Sequence, residues 1–112
     1  MKYINAFRNL KSVKLRSKDI NYESNWHLFY VLVDPENKNW ILEALSAEGI
    51  GVNIHYSPLH INSYYNRVCE FDRNELKGSV QFFNRLIRLP MYPSLSDEQV
   101  DLVIKAVVKV LG

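Results

Sequence analysis

The chain has 112 residues, 47% hydrophobic and 23% charged, which excludes a disordered segment and suits one domain with a single core. A formal net charge of +2 is too small to argue for a nucleic-acid partner, and no apolar run approaches the ~20 residues that span a bilayer. The one cysteine, Cys69, cannot form an internal disulfide, and the N-terminus shows no signal-peptide apolar region, so a reducing, cytoplasmic setting is expected.

Tyr3, Ile4, Phe7 and Leu10 fall on helical spacing and predict a helix over residues 3–10. No capping residue precedes it, as expected of a helix cut from a longer one. Residues 11–25 are polar and predict a loop, with a short extended piece at Val13 and Leu15. Lys11, Lys14, Arg16 and Lys18 read there as a solvated basic face. Trp26 to Val33 is aromatic and β-branched and predicts the best strand of the chain. Asp34-Pro35-Glu36 then opens a helix, with Ile41, Leu42, Ala44 and Leu45 as its apolar face and Gly49 as its stop.

In the next segment Val52, Ile54 and Tyr56 alternate with Asn53, His55 and Ser57, the period of a half-buried strand. Pro58 has no N–H to continue the ladder, so His55, Tyr56 and His60 are expected at a strand's exit. Turns follow around Tyr64 and Tyr65. A helix is expected from about 74 to 86, with Leu76, Val80, Phe83 and Ile87 inward and Gly78 as a weak point. Ile87 and Leu89 predict a short third strand before Pro90. Ser96 and Gln99 form a capping box for a last helix whose stripe is Val100, Val103, Ile104, Val107, Val108 and Leu111. Such a stripe needs a sheet to cover. The expected fold is α/β, a two-layer α+β sandwich whose small, mostly antiparallel sheet has helices on one face.

Two stretches carry a resemblance. GIGVNIHYSPLH from Gly49 to His60, followed by RLPMYPSLSDEQVDLVIKAV from Arg88, resembles the C-terminal small domain of the DegT/DnrJ/EryC1/StrS family. These are pyridoxal-phosphate-dependent sugar aminotransferases of fold type I. The likeness covers about residues 24–111. Gln81 departs from it where a glutamate is common, and Arg88 where a small residue usually precedes Leu-Pro. The resemblance implies a connecting helix and loop over residues 1–23 and a small domain over 24–112. It places the pyridoxal phosphate and its lysine in a large domain upstream, so this chain alone is expected to hold no catalytic residue and not to turn over. It implies substrate contact from His55, Tyr56 and His60, and a homodimer. The parent reaction would move an amino group from a donor such as glutamate to a nucleotide-linked keto-sugar, for amino-sugar and polysaccharide biosynthesis. Whether the parent aminates or, like a lysine-lacking variant, dehydrates depends on a position outside the chain.

The residues themselves leave other readings open. No lysine sits in a glycine-framed strand end, and there is no glycine-rich phosphate loop; Ser12-Val13-Lys14 and Ser17-Lys18 lie in polar sequence. His27, His55 and His60 have no carboxylate or thiolate at metal-ligand spacing, and Cys69 has no histidine partner set by pattern. Tyr64 and Tyr65 either stack on a ligand or anchor their loop. Arg85 and Arg88 either meet a phosphate or are solvated or ion-paired. The chain is then a domain of an aminotransferase, a free-standing non-catalytic dimerisation or regulatory module, or a small enzyme using His55 or His60 as general base. Tyr3, Ile4 and Phe7 are the expected discriminator, being left uncovered if a large domain once covered them.

Overall fold

Residues 2–16 and 25–112 are described by the computed structural model of the chain. Its centre is an antiparallel pair, β1 (Phe29–Leu32) and β2 (Leu86–Leu89), in the register Phe29–Leu89, Tyr30–Arg88, Val31–Ile87 and Leu32–Leu86. Single bridges widen it on both edges. Lys14 exchanges hydrogen bonds with Leu32 (2.8 and 2.9 Å), and Asn53 with Arg88 (3.2 and 2.7 Å). Side chains alternate across a strand, so Phe29, Val31, Ile87 and Leu89 share one face. All four are buried.

Three helices cover that face: α1 (Lys2–Phe7), α2 (Lys38–Ala47) and α5 (Asp97–Leu111). The core joins the sheet residues to Tyr3 and Phe7 of α1, Ile41 and Leu45 of α2, and Val103, Ala106, Val107 and Leu111 of α5. A single 3-10 turn (Leu59–Ile61) and α3 (Ser63–Val68) form an arm, and α4 (Lys77–Arg85) leads into β2. α4 departs from the one-faced arrangement. Its Phe82 meets Tyr30 edge-on at 5.3 Å, on the sheet face opposite the core.

Helix ends follow the local chemistry closely. In α5 the Ser96 hydroxyl accepts from the Gln99 amide (3.2 Å), and Gln99 Oε1 accepts from the Ser96 amide (2.9 Å), which completes the capping box. α2 ends where Gly49 adopts φ +79°, with Gly49 N donating to Ser46 O and Ile50 N to Leu45 O. That is a Schellman stop, and a left-handed residue there is why the position is glycine. The start of α2 is later than expected. Asp34 accepts from Glu36 N (3.0 Å) in an Asx turn, so residues 35–37 turn and the helix begins at Lys38. α4 likewise begins only at Lys77, which places Gly78 in the first turn rather than mid-helix.

Three expectations are corrected. Tyr3 and Phe7 are not an uncovered face: they are 4% and 1% exposed and stack at 5.6 Å, with Phe29 5.0 Å from Tyr3. Residues 52–57 form no strand, because only Asn53 pairs and Pro58 permits nothing beyond. Val52 reaches the core, but Ile54 is 37% and Tyr56 82% exposed. In the last helix Val108 faces solvent and Ala106 lies in the core instead. The Ser17-Lys18 pair and most of the expected 11–25 loop lie outside the described residues.

Candidate functional site

The GVNIHYSPLH segment leaves the sheet at Asn53 and runs along the surface to the 3-10 turn. His55 and Tyr56 are exposed, and their rings stack at 5.0 Å. His60 is different. It is buried, its ring meets Phe71 edge-on at 5.5 Å, and its carbonyl accepts from Asn66 Nδ2 (2.8 Å). Asn62 caps α3 by accepting from Tyr64 N (3.0 Å), and Tyr64 and Tyr65 pack edge-to-face at 5.3 Å. His55 and Tyr56 are thus presented outward, while His60 holds the turn that follows them.

This arm is apolar and uncovered. Tyr56, Leu59, Ile61, Tyr64 and Val68 are all exposed, within 13 consecutive residues counted from Tyr56 to Val68. α3 makes its principal contacts with the 3-10 turn beside it, so local interactions hold the arm. Contiguous apolar exposure of this kind marks a surface that another polypeptide or ligand covers.

A cleft of about 490 Å³ opens beside the arm's root. It is lined by Gly49 to Gly51 and Asn53, by Arg88 to Tyr92 and Leu95, and by Gln99, Leu102 and Val103 of α5. None of His55, Tyr56 and His60 lines it. The sequence reading put Asn53 in a strand and Val103 on a helix face; tertiary packing, with the bridge at Asn53, brings them to one cleft.

Two titratable groups are shifted by burial. The Tyr3 phenol is pushed up to about 12 by burial in the core and by the Tyr92 phenol nearby, and it donates to Pro90 O (3.0 Å). The Lys38 ammonium is held below its usual range by desolvation. Lys38 Nζ donates to Phe83 O (2.5 Å) and lies 4.5 Å from the Phe83 ring centre.

Pyridoxal phosphate needs a free, desolvated lysine, an acid for the ring nitrogen and a phosphate cradle. The described residues do not fit it. Lys38 is buried, but its amine is held by a carbonyl and no acid pairs with it; Lys2 and Lys109 are in surface ion pairs with Asp97 and Asp101 and with Glu48. Among the described residues no group of three or more His, Cys, Asp or Glu could hold a metal ion, and no helix is long and apolar enough to cross a membrane.

Known proteins place this architecture. SpsC, a spore coat polysaccharide biosynthesis protein of Bacillus subtilis, is 34% identical over 87 residues, 73% of this chain and 22% of SpsC. PseC of Helicobacter pylori, an aminotransferase involved in the biosynthesis of pseudoaminic acid, superposes with a TM-score of 0.84 at 25% identity, over 97% of this chain and 30% of PseC. Spr1654 of Streptococcus pneumoniae, solved in PMP and PLP forms, gives 0.83 for the PMP form at 30% identity, over 97% of this chain and 28% of Spr1654. The chain therefore spans less than a third of each of these relatives. The model of the DegT/DnrJ/EryC1/StrS aminotransferase family matches residues 1–108, and the chain belongs to that family.

Proposed function

We propose that this chain serves as the small domain of a pyridoxal-phosphate-dependent sugar aminotransferase, with residues 24–112 as the domain and the preceding residues as its connection. The observation that carries the reading is the uncovered arm, Tyr56 to Val68, on a chain whose own core is closed. Such an arm is what a small domain offers to a larger partner domain, to a second subunit, or to substrate between them. A lysine-bearing large domain holds the cofactor, in keeping with the described residues, whose Lys38 amine is held by a carbonyl. The reaction exchanges the keto oxygen of a nucleotide-linked sugar for the amine of a donor such as glutamate, leaving a 2-oxo acid. His55 and Tyr56 reach the sugar nucleotide from the arm, and His60 acts there by fixing the turn. The working enzyme is a cytoplasmic homodimer, in keeping with an exposed free Cys69.

The test is to extend the reading frame around this chain, purify the longer protein, and supply glutamate and a nucleotide-linked keto-sugar. An aldimine absorbance that fades on adding glutamate, with an amino-sugar product by mass spectrometry, supports the reading. A longer protein that binds pyridoxal phosphate and aminates only simple 2-oxo acids overturns the sugar assignment.

The closed packing of Tyr3 and Phe7 favours one alternative, a free-standing dimerisation or regulatory module. If no lysine-bearing domain adjoins the chain in its reading frame or in a partner, that module is the better account.

A further inference from the structure

The ladder of β1 leaves one pair of backbone groups over. In an antiparallel pair alternate residues bond toward the partner strand, and the residues between them bond away from it. Val33 N donates to Arg85 O (2.9 Å), so Val33, Val31 and Phe29 bond toward β2, and Leu32 and Tyr30 turn their N–H and C=O to the opposite edge. Leu32 meets Lys14 there and exchanges both bonds with it. Tyr30 does not: no backbone bond joins it to Arg16, two places beyond Lys14, and no described residue takes that place. The segment thus parts from β1 after Lys14. A cleft of about 310 Å³ opens where the two part. Apolar Ile4, Phe7, Val13, Leu15 and Phe29 line it, together with Tyr30 itself. So do Arg8, Lys14 and Arg16, three exposed cations that enter none of the ion pairs among the described residues. No lining residue is acidic, and none comes from the arm at 56–68.

We propose that this cleft receives the C-terminal end of an extended polypeptide with an apolar last residue and a free carboxylate. Three features of the cleft select that ligand. The N–H and C=O of Tyr30 match the C=O and N–H of the penultimate residue, which joins the sheet edge as Lys14 does one step along. Side chains alternate along a strand, so the last side chain falls on the face of Phe29 and Val31, toward the apolar lining. The carboxylate then ends the strand among Arg8, Lys14 and Arg16, where charge-assisted bonds replace their hydration. A volume of about 310 Å³ is at the small end for ligand sites and suits one side chain with its carboxylate. Positive charge at a sheet edge ordinarily repels other strands; a terminal carboxylate turns it into attraction. The site is independent of the aminotransferase reading.

The experiment is an NMR titration of the ¹⁵N-labelled chain with N-acetyl-alanyl-leucine, at ionic strength held constant with sodium chloride. Saturable shifts are expected at the amides of Leu15, Arg16 and Tyr30, with the Tyr30 amide proton moving downfield as it gains a hydrogen bond. Two altered probes test the chemistry without changing the protein. The C-terminal amide of the same peptide lacks the charge and should bind about tenfold more weakly, the loss of one charge-assisted pair. The peptide methylated on its alanine nitrogen keeps the charge but loses the donor to Tyr30 O, and should weaken by a similar factor. R16Q should cut the affinity for the acid severalfold while leaving that for the amide unchanged. No saturable shift at Tyr30, equal binding of acid and amide, or shifts centred instead on residues 56–68 overturns the site.

Discussion

Phe7→Ala asks whether α1 is part of the folding unit. The phenyl ring is 1% exposed, stacks with Tyr3 at 5.6 Å and lies 6.5 Å from Phe29. Truncating a ring so enclosed removes its transfer free energy and leaves a cavity, about 3–4 kcal/mol in all, because the sheet and α5 behind it cannot collapse inward. Against a total stability of roughly 5–15 kcal/mol for a domain, that is a large fraction. The melting temperature should fall by roughly 15 °C. Urea unfolding followed by Trp26 fluorescence reports it, since the Trp26 ring is 5.7 Å from that of Phe29 and leaves this cluster on unfolding. The midpoint should move with the m-value unchanged, the sign of a folded state that is weaker but no less compact. Tyr56→Ser is the control: at 82% exposure its removal should change stability by less than about 0.5 kcal/mol. A Phe7→Ala loss below about 1 kcal/mol would mean that α1 is not docked in solution, and would return Tyr3 and Phe7 to the role of an uncovered face.

Two further outcomes are expected. The Tyr3 phenol has its pKa raised from 10.0 to about 12, so the folded state favours the protonated form. Its stabilisation is complete below pH 10 and is lost as pH rises through about 12; Tyr3→Phe should flatten the alkaline limb of stability against pH by that component, which thermal melts of both proteins from pH 8 upward will check. Ser96→Ala deletes one half of the capping box and should cost about 1 kcal/mol by urea unfolding, with hydrogen exchange rising first in the opening turn of α5.

Where each residue's conformation depended on its near neighbours, the sequence was a sufficient guide. Ser96 and Gln99 found each other across one turn, Gly49 took the only backbone conformation that ends α2 there, and Trp26–Val33 contained the strand it predicted. One miss was local, since the Asx turn at Asp34 delays α2 to Lys38; the larger ones came where a partner far along the chain decided. Alternation from Val52 to Ser57 is real, but a strand needs a neighbour to pair with, and β2 offers hydrogen bonds only as far as Asn53. The Phe7 face looked free because nothing local covers it; β1 and α5 do.

The expected exposed face is buried, and the expected strand instead leads into an arm with Tyr56, Leu59, Tyr64 and Val68 turned to solvent. A core complete without the arm needs no further polypeptide to close it, so the arm's apolar side chains are not there for the domain's own stability. Substituting them should leave unfolding nearly unchanged while weakening whatever assembly the chain enters, the opposite of Phe7→Ala. The two classes of residue thus separate by measurement: those that build the domain and those that present it. PseC and Spr1654 are each more than three times as long as this chain, and the second class is where the proposed function looks for contact with the rest of such a protein.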